Sequence, residues 1–302
     1  IRAFRFPNTK IIPDLQRAEK DKVNPWGLEF NGAYADLSNF LIDNLDIRIG
    51  RQRIAWGTSD KFNPTDNLNP DDLEDLFDFG KHLGSNALKA SYYLGDFTFT
   101  GVIIPTFTPA VLPPDDWLGA FLPTASSLPG IFPNMITNNV DLPLNQVDQT
   151  SMFALKVETR LFDYDVSLSY FYGRDDLPLL TQTNITPIDT LGTVDIATKS
   201  IYPKIPVLGA DFAGQIFDIG VCAEAAVFFP NKYSSVIYFA GDEILKSVAL
   251  DDDPHIKYVI GMSGGIGDKA AISFSIGFYQ ALGAGKSIEE SYKFGCIQIR
   301  LQ

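Results

Sequence analysis

One unit recurs along this chain: an alternating strand, a tight turn carrying Gly, Asp or Asn, and a second alternating strand. It occurs five times, with turns at Asp43-Asn44, Gly95-Asp96, Phe162 to Asp165, Phe217-Asp218 and Gly267-Asp268. The segments between successive units differ in kind. Thr58 to Ser85, Ala110 to Thr150, Asp175 to Lys204 and Asn231 to His255 are long, Pro-rich and polar, and read as loops.

Short turns at one end and long loops at the other are the asymmetry of outer-membrane barrels, whose periplasmic turns are short and extracellular loops long. Side-chain alternation adds a second constraint. In Met152 to Leu161, Phe153, Leu155, Val157 and Leu161 share a face with Thr159, while Lys156, Glu158 and Arg160 share the other. Tyr164, Val166, Leu168, Tyr170 and Tyr172 alternate in the same way against Asp165, Ser167, Ser169 and Gly173. A water-soluble sandwich would bury the apolar face. Aromatic placement favours lipid instead: Phe97, Phe162, Tyr164 and Phe217 cluster near the turns, and Trp56, Phe107, Tyr172, Phe229 and Phe278 near the loop ends, as two interfacial girdles would.

Composition removes the competing classes. With 45% hydrophobic and only 20% charged residues the chain is too apolar to be disordered. Prolines interrupt the longest uncharged stretches, Phe97 to Pro114 and Trp117 to Val140, so no spanning helix is expected. A net charge of −13 without a basic stripe argues against nucleic acid. The two cysteines, Cys222 and Cys296, have no metal-ligand spacing and read as strand residues. His82 and His255 fall in predicted loops, and no catalytic motif is present, so neither an enzyme, a metal centre nor a cofactor is expected.

The expected fold is therefore all-β: a single transmembrane antiparallel up-and-down barrel over residues 1–302, with short periplasmic turns and long extracellular loops at 58–85, 110–150, 175–204 and 231–255. Turn parity gives about twelve strands with both termini periplasmic, or about fourteen if Leu180 to Thr186 and Leu191 to Thr198 add a hairpin. The opening Ile1-Arg-Ala-Phe-Arg-Phe reads as mid-strand, with the expectation that a preceding segment was removed. Such a protein would sit in the outer membrane of a Gram-negative-type cell. Its surroundings would be the bilayer and lipopolysaccharide, with other outer-membrane proteins or lipoproteins as candidate partners.

Leu45 to Gly57 is the most distinctive stretch, because its alternation slips at Gly50. A one-residue bulge there would keep Arg51 and Arg53 on the polar side with Arg48. With Lys89, Lys156, Arg160, Lys257 and Arg300, the predicted lumen carries eight cations against Asp46, Glu158, Asp211 and Glu224. That predicts a channel for anionic or sugar-like solutes. The alternative is that these carboxylates pair with the cations inside a largely closed barrel. Such a barrel would be a structural subunit of a larger envelope assembly. Farther along, Asn69 as N-cap, Pro70 and Asp71-Asp72 predict a short helix in the first long loop, whose carboxylates, with Asp66, Glu74, Asp75 and Asp78, are expected to form a solvated acidic face. The Ala110 to Thr150 loop is oddly apolar, and Trp117, Phe121 and Phe132 are its candidate constriction or docking residues. Seven prolines between Pro109 and Pro143 exclude a regular helix over most of its length.

The segments RIGRQRIAWGTSDKFNPTDNLNP, YYLGDFTFTGVIIPTFTPAVLP, SYFYGRDDLP and VLGADFAGQIFDIGVCAEAAVFFP together resemble a group of bacterial outer-membrane barrels related to the alginate-export porin family. The resemblance covers about Leu45 to Pro230. It implies a porin-like outer-membrane protein, with a cation-lined pore in the alginate-export members.

Overall fold

A computed structural model describes residues 2–5, 26–29, 32–59, 62–74, 80–112, 132–143, 147–216, 219–265, 271–278 and 297–301. Within them the chain is all-β, with a single four-residue helix, α1 (Val147–Thr150). Two short strands, β1 (Arg2–Arg5) and β2 (Trp26–Glu29), pair with each other.

The main sheet has eleven strands, each antiparallel to its neighbours. In spatial order they are β18 (Ile297–Leu301), β17 (Ala271–Phe278), β16 (His255–Gly265), β13 (Ile219–Phe228), β12 (Lys204–Ile216), β9 (Tyr164–Arg174), β8 (Met152–Leu161), β6 (Phe97–Ile104), β5 (Ser85–Leu94), β4 (Leu45–Gln52) and β3 (Ala33–Leu37). The five predicted hairpins are all present, as β3–β4, β5–β6, β8–β9, β12–β13 and β16–β17. The third is tighter than predicted: Leu161 pairs with Tyr164, leaving Phe162-Asp163 as a two-residue turn. Both residues have positive φ, 50° and 69°, the turn that matches the right-handed twist of the strands.

Alternation in the sequence becomes burial in the structure, with the sign opposite to that of a water-soluble protein. On β8, Leu155 is 59% exposed while the next residue, Lys156, is 6% exposed. Leu168 on β9 is 68% exposed beside buried Ser167 and Ser169. Phe99, Ile103, Phe153, Leu208, Ile260 and Met262 extend the exposed apolar face across the sheet. The other face carries Lys156, Asp211 and Glu224 among its buried residues.

On that inner face one buried cluster runs without a break from Ala87 on β5 to Ala226 on β13, across five strand spacings. No ladder joins β3 to β18 among the described residues.

A second sheet of five strands prolongs the loop end, in the order β15 (Asp242–Leu250), β14 (Tyr233–Phe239), β10 (Leu179–Pro187), β11 (Thr193–Ile201) and β7 (Phe132–Asp141). The extra hairpin foreseen within 175–204 forms as β10–β11, but it joins this sheet; among the described residues the main one has eleven strands, against the predicted twelve to fourteen. The β9–β12 ladder continues into it through Asp175 N–H donating to Pro203 O at 2.9 Å. The 231–255 segment, expected to be a loop, is the hairpin β14–β15, turned at Ala240-Gly241 with φ of 52° and 94°. Its alternation, SSVIYF and ILKSVAL, is the signal that the polar composition of the segment obscured. β14 runs parallel to β10, and β7 parallel to β11, so the small sheet is mixed.

Candidate functional site

The first long connection does not project away from the sheet. After Gln52 the chain leaves β4 and folds onto the inner face, where Ile54, Trp56 and Leu68 pack with Ala87, Val102, Ile104, Met152, Ala154, Phe171, Ile205, Val207, Ala226 and Phe228. These partners face inward at the loop ends of β5, β6, β8, β9, β12 and β13. Burial of so much apolar surface, at roughly 25 cal/mol per Å², fixes the segment in place. Trp56, expected at an outer aromatic girdle, is 4% exposed in this inner cluster, and Phe107 packs against the same cluster and against Tyr202.

Polar contacts fix the register of the inward segment. The Glu224 carboxylate accepts hydrogen bonds from the backbone N–H groups of Thr58 and Ser59 and from Thr65 Oγ1 at 3.1 Å. Gly57 permits this approach: its φ is +91°, and a Cβ there would lie 2.6 Å from a Glu224 oxygen. Asp66 forms a two-point ion pair with Arg53. Asn69 Oδ1 accepts from Arg53 at 2.9 Å and from Ile54 N–H at 2.8 Å, while its amide donates to Gln52 O at 3.3 Å and Ser85 Oγ at 3.1 Å.

The helix predicted to start at Asn69 is therefore absent over Pro70 to Glu74. The Asn69 side chain caps the end of β4 instead of a helix, and Asp71 and Asp72 form single bridges with His82 and Val111. Of the acidic residues read as a solvated helical face, Asp66 and Asp72 are buried, paired with Arg53 and with Lys81 at 3.3 Å, and Asp71 meets His82 Nδ1 at 2.9 Å. Asp75 and Asp78 lie outside the described residues.

The predicted lumen residues separate into groups. Arg48, Lys89, Lys156, Glu158, Asp211 and Glu224 share the inner face. Arg48 pairs with Asp36 on β3 at 2.6 Å and lies 4.1 Å from the Tyr34 ring. Lys89 is its direct neighbour on β5. Lys156 Nζ reaches Glu158 at 2.9 Å and Asp211 at 3.6 Å, and Ser167 Oγ donates to Asp211. Asp46 accepts from Asn39 N–H at the turn end.

Arg51 differs from its predicted place. The ladder runs through Gly50 without a shift, pairing Tyr34 with Gly50 and Ala33 with Arg51, so no bulge exists and Arg51 falls on the Ile49 side. Gln52, 1% exposed, takes the inner position instead. Arg53 reaches the interior only because the chain has left the strand. Arg160 lies at the turn end, largely exposed, 3.5 Å from Asp163. Lys257, on β16, holds its ammonium 4.2 Å from the Phe228 ring. Arg300 pairs in register with Ser273 on the last ladder. Phe132 is an exposed residue of β7, in the small sheet, and Trp117 and Phe121 lie outside the described residues.

Sequence reasoning missed Asp36, Asp66 and Asn69, the partners of the two inward arginines. Asp36 was legible from register once β3 paired with β4. Asp66 and Asn69 carried no periodic signal, since they lie in irregular chain. With them counted, the inner face is close to charge balance rather than net basic.

Above the inner cluster a cavity of about 290 Å³ opens between the inward segment and the loop ends of β8, β9, β12, β13 and β16. Asp176 at its edge accepts from Asp71 N–H at 2.6 Å. Burial, reinforced by the Asp71 charge, pushes the Asp176 carboxyl up to about 7, and burial pushes the Tyr202 phenol up to about 12.

Neither a scan of the chain against protein-family models nor a search of curated proteins finds a match.

Proposed function

We propose that the chain is a transmembrane β-barrel of a Gram-negative-type outer membrane, with the eleven-stranded sheet as its wall. It works as a porin-like channel for small sugar-like solutes, narrowed by the inward segment Arg53 to Glu74. The observation that carries this reading is the inverted burial of the main sheet, with Leu155 and Leu168 exposed and Lys156, Asp211 and Glu224 enclosed. Water would drive that pattern the other way, whereas hydrocarbon outside and a polar interior favour it. The tight turns then face the periplasm, and the five-stranded sheet stands outside the cell.

Charge pairing favours neutral over anionic solutes. Arg48, Arg53 and Lys156 each have a carboxylate partner, so an anion would have to displace one. Planar-bilayer conductance of the detergent-purified chain tests the channel. Small discrete openings are expected, larger when Glu224→Ala and Asp66→Ala release the inward segment; absence of current in both wild type and variant overturns it.

A second reading has its own observation. The apolar cluster around Ile54, Trp56 and Leu68 favours a barrel stoppered by its own chain and serving as a structural subunit. Silence in bilayers, with lipoproteins or other outer-membrane proteins co-purifying stoichiometrically in mild detergent, supports that reading over the first.

A further inference from the structure

The loop-end cavity has a composition unlike the rest of the inner face. Its apolar side is made by Phe171, Phe228 and Phe107, with Met152, Ile205 and Val207 around them. Its polar side includes four carboxylates, Asp66, Asp71, Asp175 and Asp176, and four nitrogen bases, Lys81, His82, Arg174 and Lys257. We propose that this cavity is a binding site for one or two rings of a neutral saccharide, a proposal that rests on the sugar-like channel reading above and names where the solute first binds.

Size sets the first limit. Small-molecule sites run from about 300 to 1,000 Å³, so about 290 Å³ lies at the small end and suits a single ring with part of a second. Shape and chemistry set the second. A pyranose offers an apolar C–H face and a rim of hydroxyls, each able both to donate and to accept. Aromatic rings meet the face, and the carboxylates and cations meet the rim.

The polar groups are placed but not exhausted. Asp176 uses one oxygen for Asp71 N–H, and Asp175 uses one for Leu177 N–H at 3.0 Å, which leaves each a second acceptor oxygen. Arg174 is fixed by donating to the Gln149 and Tyr202 carbonyls rather than to a carboxylate. Lys257 rests its ammonium against the Phe228 ring. Four acids face four bases, so a charged sugar meets groups of both signs, and a neutral one finds both donors and acceptors.

Saturation-transfer NMR on the full chain in detergent, with glucose, maltose, glucuronate and glucosamine as probes, tests the site. Transfer to glucose or maltose is expected, weaker by at least about fivefold, or roughly 1 kcal/mol, in Lys257→Met and in Asp175→Asn, and unchanged in Lys232→Gln on the outer hairpin. Retention of the compact, heat-modifiable electrophoretic form shows that each variant is folded. The proposal is overturned if neither neutral sugar receives transfer from folded wild type, if glucuronate or glucosamine binds more tightly than both, or if the two cavity variants bind like wild type. Conductance measured on the same preparation separates the claims: current without sugar binding removes the site alone, and binding without current removes the channel alone.

Discussion

Asp211 on β12 and Glu224 on β13 are direct cross-strand partners, 7% and 2% exposed, and their carboxylates turn to different neighbours. Two like charges facing each other in a sheet repel. Here each is satisfied separately: Asp211 by Lys156 and Ser167 within the wall, Glu224 by the amides and hydroxyl of the inward segment. The pair thus divides what holds the wall together from what holds its filling.

Glu224→Ala strips the acceptor from the Thr58 and Ser59 amides. A buried donor left unsatisfied costs about 1–3 kcal/mol, so a fall of that order in unfolding free energy is expected from urea titration of the folded form. Limited proteolysis should cut first within Thr58 to Asp66. Unchanged stability and protection would show that the apolar cluster alone retains the segment.

Lys156→Met leaves Asp211 buried with no cation, a change expected to cost about 3–5 kcal/mol. Adding Asp211→Leu should recover much of the loss, because the uncompensated charge leaves with it. A double-mutant cycle by thermal melting in detergent reads the coupling.

The outer face makes the opposite demand. Leu155→Arg or Leu168→Arg places a cation on the apolar band, at an expected cost of about 2–4 kcal/mol near a bilayer midplane. Folding yield into phospholipid vesicles measures it. A water-soluble protein would tolerate arginine at positions this exposed, so equal yields would count against the membrane reading.

Acidity should tighten the contact between the inward segment and the outer hairpins. Burial raises the Asp176 carboxyl to about 7, and His82 is also raised: burial opposes its charge, but hydrogen bonding to Asp71 and the nearby Asp66 and Asp71 charges outweigh that. A group whose folded pKa exceeds its unfolded one stabilises below the unfolded value and loses that contribution as pH rises through the folded one. For Asp176 the window runs from 3.8 to about 7. Protection factors over Phe62 to Glu74, taken relative to the intrinsic exchange rate at each pH, are expected to fall from pH 5 to pH 8, and to change much less in Asp176→Asn.

Gly50→Ala should detach the edge strand. The residue has φ of +126°, and a Cβ would lie 2.4 Å from Ala33 O, a backbone atom that cannot step aside. Strain of about 1–3 kcal/mol is expected, with faster exchange of the Ala33 to Leu37 amides.

How much of this was legible depends on the kind of force involved. The wall strands announce themselves because a two-sided sheet imposes a period of two, and Met152 to Leu161 and Tyr164 to Arg174 both show that period on either side of their turn. Tight turns are equally local. The inward path of Arg53 to Glu74 is not, since it depends on side chains meeting across the whole sheet. Asn69-Pro70-Asp71-Asp72 satisfies every rule for starting a helix, yet the Asn69 side chain is already engaged by Gln52, Arg53, Ile54 and Ser85. The reading of Gly50 as a bulge failed for a simpler reason. A glycine in positive φ can stay in register, and the resulting change of face then moves Arg51 outward and Gln52 inward.

The hydrogen bonds between Glu224 and Thr58 join residues 166 positions apart. Contacts of such separation form late, because the intervening chain must first be ordered. Ile54, Trp56 and Leu68 leave the ribosome long before β12 and β13 exist to cover them, so an unfinished chain carries its most adhesive surface uncovered. Wall and filling must be completed in one cooperative step, and until then the polypeptide depends on protection from aggregation.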